Sequence, residues 1–262
     1  YDSDNNRMLV IRNMYNGSAY GGLDSAFISL SGTTVSVASS FQGLFNPASD
    51  PDQGGYPNGF DVTYMPAQSA FLCTYRQVNS TNTLVTTVAR TIASNGYSLG
   101  IKVSVGNSFN NSVGWEYTAD PQVKVIPGTS TAILAHDQAP GGTKSFTLVT
   151  VSGSNTVTIG NSVNAALGYT NAAKRINSVL LMADNGDATI AYQSEQGVGG
   201  SSRVLYARDV SVNSGNISIG AEYTATTLSG NNDYQPLYGY TAVGNRMVWG
   251  WVKTNNASDT YQ

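Results

Sequence analysis

Short apolar runs, each five to ten residues long, alternate along this chain with clusters of Gly, Pro, Asn and Ser. The clearest stretch is Ala132–Gly160, AILAHDQAPGGTKSFTLVTVSGSNTVTIG. The run Ala132–His136 is followed by a polar loop (Asp137–Thr143), a second run (Ser145–Ser152) ends at Gly153, and TVTIG follows. This pattern predicts three antiparallel strands joined by two turns. Relatives of it recur from one end to the other. An opening turn plus strand appears as SDNNRMLVIR, MPAQSAFLCTYR, PGTSTAILAHD, DNGDATIAYQ and AVGNRMVWGWV, and aligning Arg12, Tyr75, His136, Tyr192 and Trp251 gives steps of 63, 61, 56 and 59 residues. The residue before each is Ile11, Thr74, Ala135, Ala191 or Gly250. A mostly small side chain at one fixed place implies close approach of neighbouring backbones.

A second anchor gives the same period. The closing hairpins LSGTTVSVAS, ASNGYSLGIKVSVG, VSGSNTVTIGN and VNSGNISIGAE place turn glycines at Gly32, Gly96, Gly153 and Gly215, with steps of 64, 57 and 62. An additional apolar segment precedes each opening turn after the first: Phe60–Tyr64, Gln122–Ile126, Ser178–Ala183 and Leu237–Thr241. The connectors Asn46–Asn58, Asn107–Ala119, Ala165–Ala173 and Thr226–Asp233 read as loops, and no segment has helical periodicity. Four short antiparallel strands at a fixed period point to an all-β fold, a β-propeller of four-stranded blades. At least five blades are expected, and five is the favoured count. A β-sandwich demands no such repetition, and a right-handed β-helix has shorter coils. The second strand of each unit is apolar or small on both alternating sets (Phe71, Cys73, Tyr75 against Leu72, Thr74), as expected of a strand buried on both faces. Thr156 and Thr158 against Val157 and Ile159 alternate as a strand nearer the rim should. Both ends fall inside a unit, so the chain reads as one domain, Tyr1–Gln262, within a longer protein. If the ring closes on itself, the first and last segments must complete one another's blade.

Composition narrows the function more than the fold. Of 262 residues only 11% are charged, the net charge is -3, and there are 28 Gly and 16 Tyr. A largely uncharged polar surface suits an extracellular or virion location; a nucleic-acid partner would call for a basic stripe. No apolar run is long enough for a membrane span. With one cysteine (Cys73) and one histidine (His136), the chain can form no internal disulfide and no His/Cys zinc site. No cofactor is implied.

The chemical motifs read mainly as structure. Asp2-Ser3-Asp4-Asn5-Asn6 resembles the start of a calcium loop, but Arg7 stands where the sharp turn needs Gly and Asn13 where the loop needs Glu. It is expected to be the first turn of a unit. Asp137, Gly141 or Gly142 and Thr143 follow the Asp-box of sialidase-type propellers only at stretched spacing, and an Asp-box is itself a turn. A sialidase further requires three arginines to clamp a carboxylate and a Tyr/Glu pair as nucleophile and base; nothing links three arginines here. No G-x-S-x-G accompanies the single histidine. The Asn-x-Ser/Thr sequons at Asn16, Asn79, Asn110, Asn216 and Asn256 decide nothing in so Asn-rich a chain.

The aligned set Arg12, Tyr75, His136, Tyr192 and Trp251 would form a ring at one axial height. It reads either as packing between blades or as a ligand platform, on which aromatic faces stack on sugar C–H surfaces and Arg76 and Asp137 in the adjoining loops add directional hydrogen bonds.

The unit Tyr-Asp-Ser-Asp-Asn-Asn-Arg-Met-Leu-Val-Ile followed by Ser-Gly-Thr-Thr-Val-Ser-Val-Ala-Ser resembles repeat units in tail-fibre and other virion-surface proteins of phages and large aquatic viruses. The resemblance implies an attachment or decoration role with no catalytic residues to carry over. The expectation is therefore a non-enzymatic propeller module of a virion surface or tail fibre. Its partners would be a host-surface glycan or another virion protein, with neither nucleic acid nor membrane insertion, and it would oligomerise through the parent protein. The alternatives are a secreted or cell-surface lectin or adhesin and, third, a sialidase-like glycoside hydrolase.

Overall fold

The computed structural model describes residues 1–15, 20–37, 42–45, 59–78, 84–96, 98–106, 109–110, 121–139, 143–153, 156–167, 178–195, 202–229, 234–244 and 246–253. They form five antiparallel sheets. The first contains β1 (Arg7–Tyr15), β2 (Tyr20–Ser31), β3 (Thr34–Val37) and β4 (Gln42–Phe45). The second contains β5 (Phe60–Met65), β6 (Ala70–Val78), β7 (Leu84–Ala93), β8 (Val103–Ser104) and β9 (Phe109–Asn110). The third is β10 (Gln122–Val125), β11 (Thr131–Ala139), β12 (Thr143–Ser152) and β13 (Thr156–Ala166). The fourth is β14 (Ser178–Met182), β15 (Ala188–Glu195), β16 (Ser202–Asn213), β17 (Asn216–Ile219) and β18 (Tyr223–Ser229). The fifth is the hairpin β19 (Tyr234–Val243) and β20 (Arg246–Lys253).

The chain is a β-propeller of four-stranded blades. In the second to fourth blades the strands run inner to outer in chain order, and the outer position of the first, second and fourth blades is shared by two short strands on the same partner. The inner strands lie side by side, β5 against β10, β10 against β14 and β14 against β19, so that successive sheets turn about a common axis. The expected doubly buried second strand is present. On β11, Ile133 and Ala135 pack with Leu180, Ile190 and Tyr192 of the fourth blade. Ala132 and Leu134, on its other face, pack with Met65, Leu72 and Ala89 of the second. Each buried Leu, Ile or Met side chain among these contributes about 1.5–3 kcal/mol. Toward the rim, Thr156 and Thr158 are exposed whereas Val157 is buried.

The turns explain the repeated glycines. Gly32, Gly153 and Gly215 adopt φ of 59°, 59° and 78°, the left-handed region that costs other residues about 1 kcal/mol or more. The turn between inner and second strands uses the same conformation, with Asn6 at φ 50°, Ser69 at 45°, Gly128 at 73°, Gly186 at 89° and Gly244 at 57°.

Two expectations change. Parts of the connectors are strand: β9, β13 and β18 extend into them, because the outer strand ladders along nearly the whole length of its neighbour even where its side chains are polar. The connector over residues 46–58 lies outside the described residues. Among the described residues β1 is laddered to β2 and β19 to β20, with Asp2 bridged to Arg7, and no strand pair joins the first sheet to the last.

Candidate functional site

The aligned residues occupy the same strand position in each unit, and alternation fixes where they point. Residues of β6 packed with the first blade are Phe71, Cys73 and Tyr75, which join Leu23, Phe27 and Ile11 in one cluster. Tyr192 faces the third blade by the same rule. Tyr75 and Tyr192 thus point at the preceding blade, and each meets there the residue one position before its counterpart: Tyr75 packs with the partly buried Ile11, and Tyr192 with the small Ala135. Tyr75, His136 and Tyr192 are buried in these seams. Arg12 has no preceding blade among the described residues; it is exposed and lies 3.2 Å from Asp24. Arg76 is buried on β6. Trp251 lies on β20, and its side chain falls outside the described residues.

His136 sits between the second and third blades. Its Nε2 is 3.3 Å from Thr147 Oγ1 and its Nδ1 3.3 Å from the Asp137 carbonyl oxygen. Gly106, of the second blade, is pressed against the ring, and a Cβ placed there would lie 2.5 Å from His136 Cε1. Burial lowers the His136 pKa to about 4, aided by the Lys144 cation and opposed by the Asp137 carbonyl and carboxylate. The imidazole is therefore neutral across the physiological range. On the other face of the same hairpin, Lys144 is fully buried 3.2 Å from Asp137 Oδ1. The two atoms are within ion-pair distance but form no hydrogen bond with each other, so the contact is electrostatic. The register Asp137↔Lys144 creates it.

Tyr192 donates a hydrogen bond to Glu222 Oε2, and the Arg208 guanidinium lies 3.4 Å from the same carboxylate. Burial, reinforced by Glu222, pushes the phenol pKa upward. A Tyr/Glu pair is present, but its phenol is held protonated, it lies in a blade seam, and among the described residues Glu222 meets a single arginine, Arg208. Asp2 is a turn cap. Its Oδ1 accepts from the backbone N–H groups of Asp4 and Asn5 at 3.0 and 3.2 Å, and its Oδ2 from Asn5 Nδ2 at 2.7 Å. Burial alone would raise its pKa; hydrogen bonds from Asn5, Tyr64 and Ser94 outweigh this and lower it. No group of three or more metal-ligating side chains occurs among the described residues.

A groove of about 620 Å³ opens between the third and fourth blades at the end carrying the short turns. Ile126, Leu148, Val210 and Val212 give it an apolar floor, and Thr129, Thr131, Thr150, Asn161, Asn185 and Ser211 give it hydroxyl and amide walls. Asp187 is the single ionisable residue of its lining. Several walls are pre-positioned: Asn161 Nδ2 donates to the Gly215 carbonyl oxygen at 3.1 Å and to Asn216 Oδ1 at 2.9 Å, and the Ser211 and Ser218 hydroxyls are 2.8 Å apart. Gly160 packs closely on the floor, since a Cβ there would come within 3.3 Å of Leu148 Cβ. Sequence reasoning missed this site because its residues come from three separate turns and strands and carry no motif. The same reasoning missed Glu222 and Lys144. Lys144 was findable as the hairpin partner of Asp137; nothing local marks Glu222.

No protein-family model matches the chain, and no curated protein matches it. Among solved structures it is similar to the GH93 alpha-L-arabinofuranosidase of Fusarium graminearum in complex with arabinobiose. The identity is 12% over 97% of this chain and 76% of that one, with a TM-score of 0.45. A likeness this distant transfers no activity. The expectation of a non-enzymatic virion-surface or tail-fibre module is nevertheless corrected here: the similar structure is a glycoside hydrolase, and nothing found ties the chain to a phage or virus.

Proposed function

We propose that this propeller is directed at glycosides and holds a neutral saccharide in the groove between its third and fourth blades. The observation that carries the proposal is the lining. Hydroxyl and amide groups surround an apolar floor with Asp187 as the sole ionisable side chain. Neutral sugars present the matching surface, with hydroxyls at the edge and C–H groups on the face. An anionic sugar such as a sialic acid would meet a carboxylate and no cation in this groove, which sets a sialidase-like specificity aside.

The test is binding of the chain to a panel of neutral and sialylated oligosaccharides, followed by chromatography of bound ligands for shortened products. Neutral ligands should bind, and Thr150→Val and Ser211→Ala should each weaken them roughly tenfold, the worth of one ligand hydrogen bond, with folding unchanged. Binding confined to sialylated ligands, or binding indifferent to both substitutions, would overturn the proposal. Shortened products would show that the chain also cleaves.

A further inference from the structure

We propose that Asp187 makes part of the groove between the third and fourth blades a subsite for an ammonium group, so that a saccharide bearing a free amino sugar is held more tightly than its neutral counterpart. The inference rests on reading the groove as a saccharide site and adds a substrate class to it. A neutral sugar alone leaves the one charge in the lining unused.

Asp187 lies exposed on the turn ahead of β15. Its carboxylate is fixed from one side: Asn185 Nδ2 donates to Asp187 Oδ2 at 2.6 Å, and the Asp187 N–H donates to Asn185 Oδ1 at 3.1 Å. Among the described residues Asn185 is its one side-chain partner, and no cation pairs with it. Arg208, two residues before Val210 and so on the same face of β16, has its own counter-ion in Glu222 at 3.4 Å. The second carboxylate oxygen of Asp187 is left for a ligand.

The hydrogen-bond inventory of the lining points the same way. Asn161 has both amide hydrogens engaged, by the Gly215 carbonyl at 3.1 Å and Asn216 Oδ1 at 2.9 Å. The single hydroxyl proton of Thr129 goes to a backbone carbonyl, that of Ile126 at 2.9 Å or of Thr131 at 3.2 Å. The Thr131 and Thr150 hydroxyls share one proton at 3.2 Å, and Ser211 and Ser218 share one at 2.8 Å. What remains is mainly acceptors: Asp187 Oδ1, Asn161 Oδ1 and hydroxyl lone pairs. Against them stand one Asn185 N–H and one spare proton from each hydroxyl pair.

Such a surface favours a ligand that donates more than it accepts. A sugar hydroxyl brings one proton with its lone pairs, and an acetamido group adds a carbonyl acceptor. An ammonium brings three protons and no lone pair, and its hydrogen bond to a carboxylate is about twice as strong as a neutral one. A metal ion is the poorer match, since no cluster of ligating side chains accompanies Asp187 among the described residues.

The test is calorimetric titration of the full chain with β-1,4-linked trimers of glucosamine, N-acetylglucosamine and glucose, at about pH 6, where amines are protonated and carboxylates ionised. The glucosamine trimer should bind roughly tenfold tighter than the other two. That preference should vanish in Asp187→Asn, shrink several-fold in about 0.5 M salt, and survive in Thr150→Val, which should weaken all three trimers alike. Ethylammonium at matched concentration should not displace the glucosamine trimer. Equal binding of the three trimers would overturn this inference while leaving the saccharide reading intact. A preference that persists in Asp187→Asn would trace to the chain's net charge of -3 and would overturn it. Displacement by ethylammonium would do the same, since a bare charge would then suffice. Should Asp187→Asn fail to fold, the salt series decides, and a preference indifferent to salt overturns the inference. Binding of none of the trimers would also overturn it, and the wider oligosaccharide panel then judges the saccharide reading separately.

Discussion

Stability should fall between pH 6.5 and about 4 because of one buried imidazole. His136 titrates at about 4 in the folded chain against 6.5 unperturbed. A group whose folded pKa is depressed supports the fold fully above its unfolded pKa, and that support is lost as pH falls toward the folded value, since only the unfolded chain binds the proton. The window is therefore 6.5 down to about 4, and the gap corresponds to ~3 kcal/mol at most. Burial is the main cause, and the ring has Lys144 and Asp137 as its nearest charges, with Gly106 and Thr147 packed against it. Urea unfolding at half-unit steps from pH 7 to 4 measures the loss, with His136→Gln as the comparison because it keeps a polar atom near Thr147 without titrating. The wild-type curve should drop by up to ~1.4 kcal/mol per pH unit in the middle of this range, and the variant's should stay flatter by most of that. Parallel curves for the two proteins would refute the reasoning. Asp2 does not confound the result, because its pKa is lowered and its own contribution is lost mainly as pH falls below the ordinary carboxylate value of 3.8.

Other substitutions test the seams separately by chemical denaturation. Gly106→Ala drives a Cβ into the His136 ring and should cost about 1–3 kcal/mol; in a His136→Ala background most of that cost should vanish, a coupling read from the double-mutant cycle. Asp61→Ala removes the acceptor of the buried Val123 N–H and the partner of Lys124 at 3.2 Å, so a loss of about 2–3 kcal/mol is expected, whereas Asp61→Asn, which keeps an acceptor oxygen, should lose about 1 or less. Asp137→Ala leaves the fully buried Lys144 cation uncompensated and should cost about 3–5 kcal/mol, with Lys144→Met in the same chain restoring much of it. Gly153→Ala should cost about 1 kcal/mol through φ alone, since nothing lies within 4 Å of the new Cβ.

The blade architecture was legible because it is written as position parity. Phe71 and Leu72, or Ile133 and Leu134, are apolar on consecutive residues, and a strand covered on both faces is what such a pair demands. The turns were legible for the same local reason at Gly32, Gly153 and Gly215. What holds one blade to the next was not legible. Asp61 and Gln122 differ in charge and length, yet each accepts the backbone N–H of the neighbouring inner strand, and they share only an offset from a turn. The aligned set showed the converse: Tyr75, His136 and Tyr192 read either as packing or as a platform because they are large and chemically capable, and what decides the placement of Tyr75 and Tyr192 is the residue they meet on the blade before, Ile11 and Ala135. The groove was invisible for a further reason. Its floor comes from alternate residues of strands that read as ordinary core, and its walls from the Thr, Asn and Ser found all along the chain, so only the gap between two twisted sheets distinguishes Thr150 or Ser211 from any other polar residue at a rim. In a repeat of this kind the period specifies each sheet, while the differences between copies at equivalent positions specify what the seams can hold.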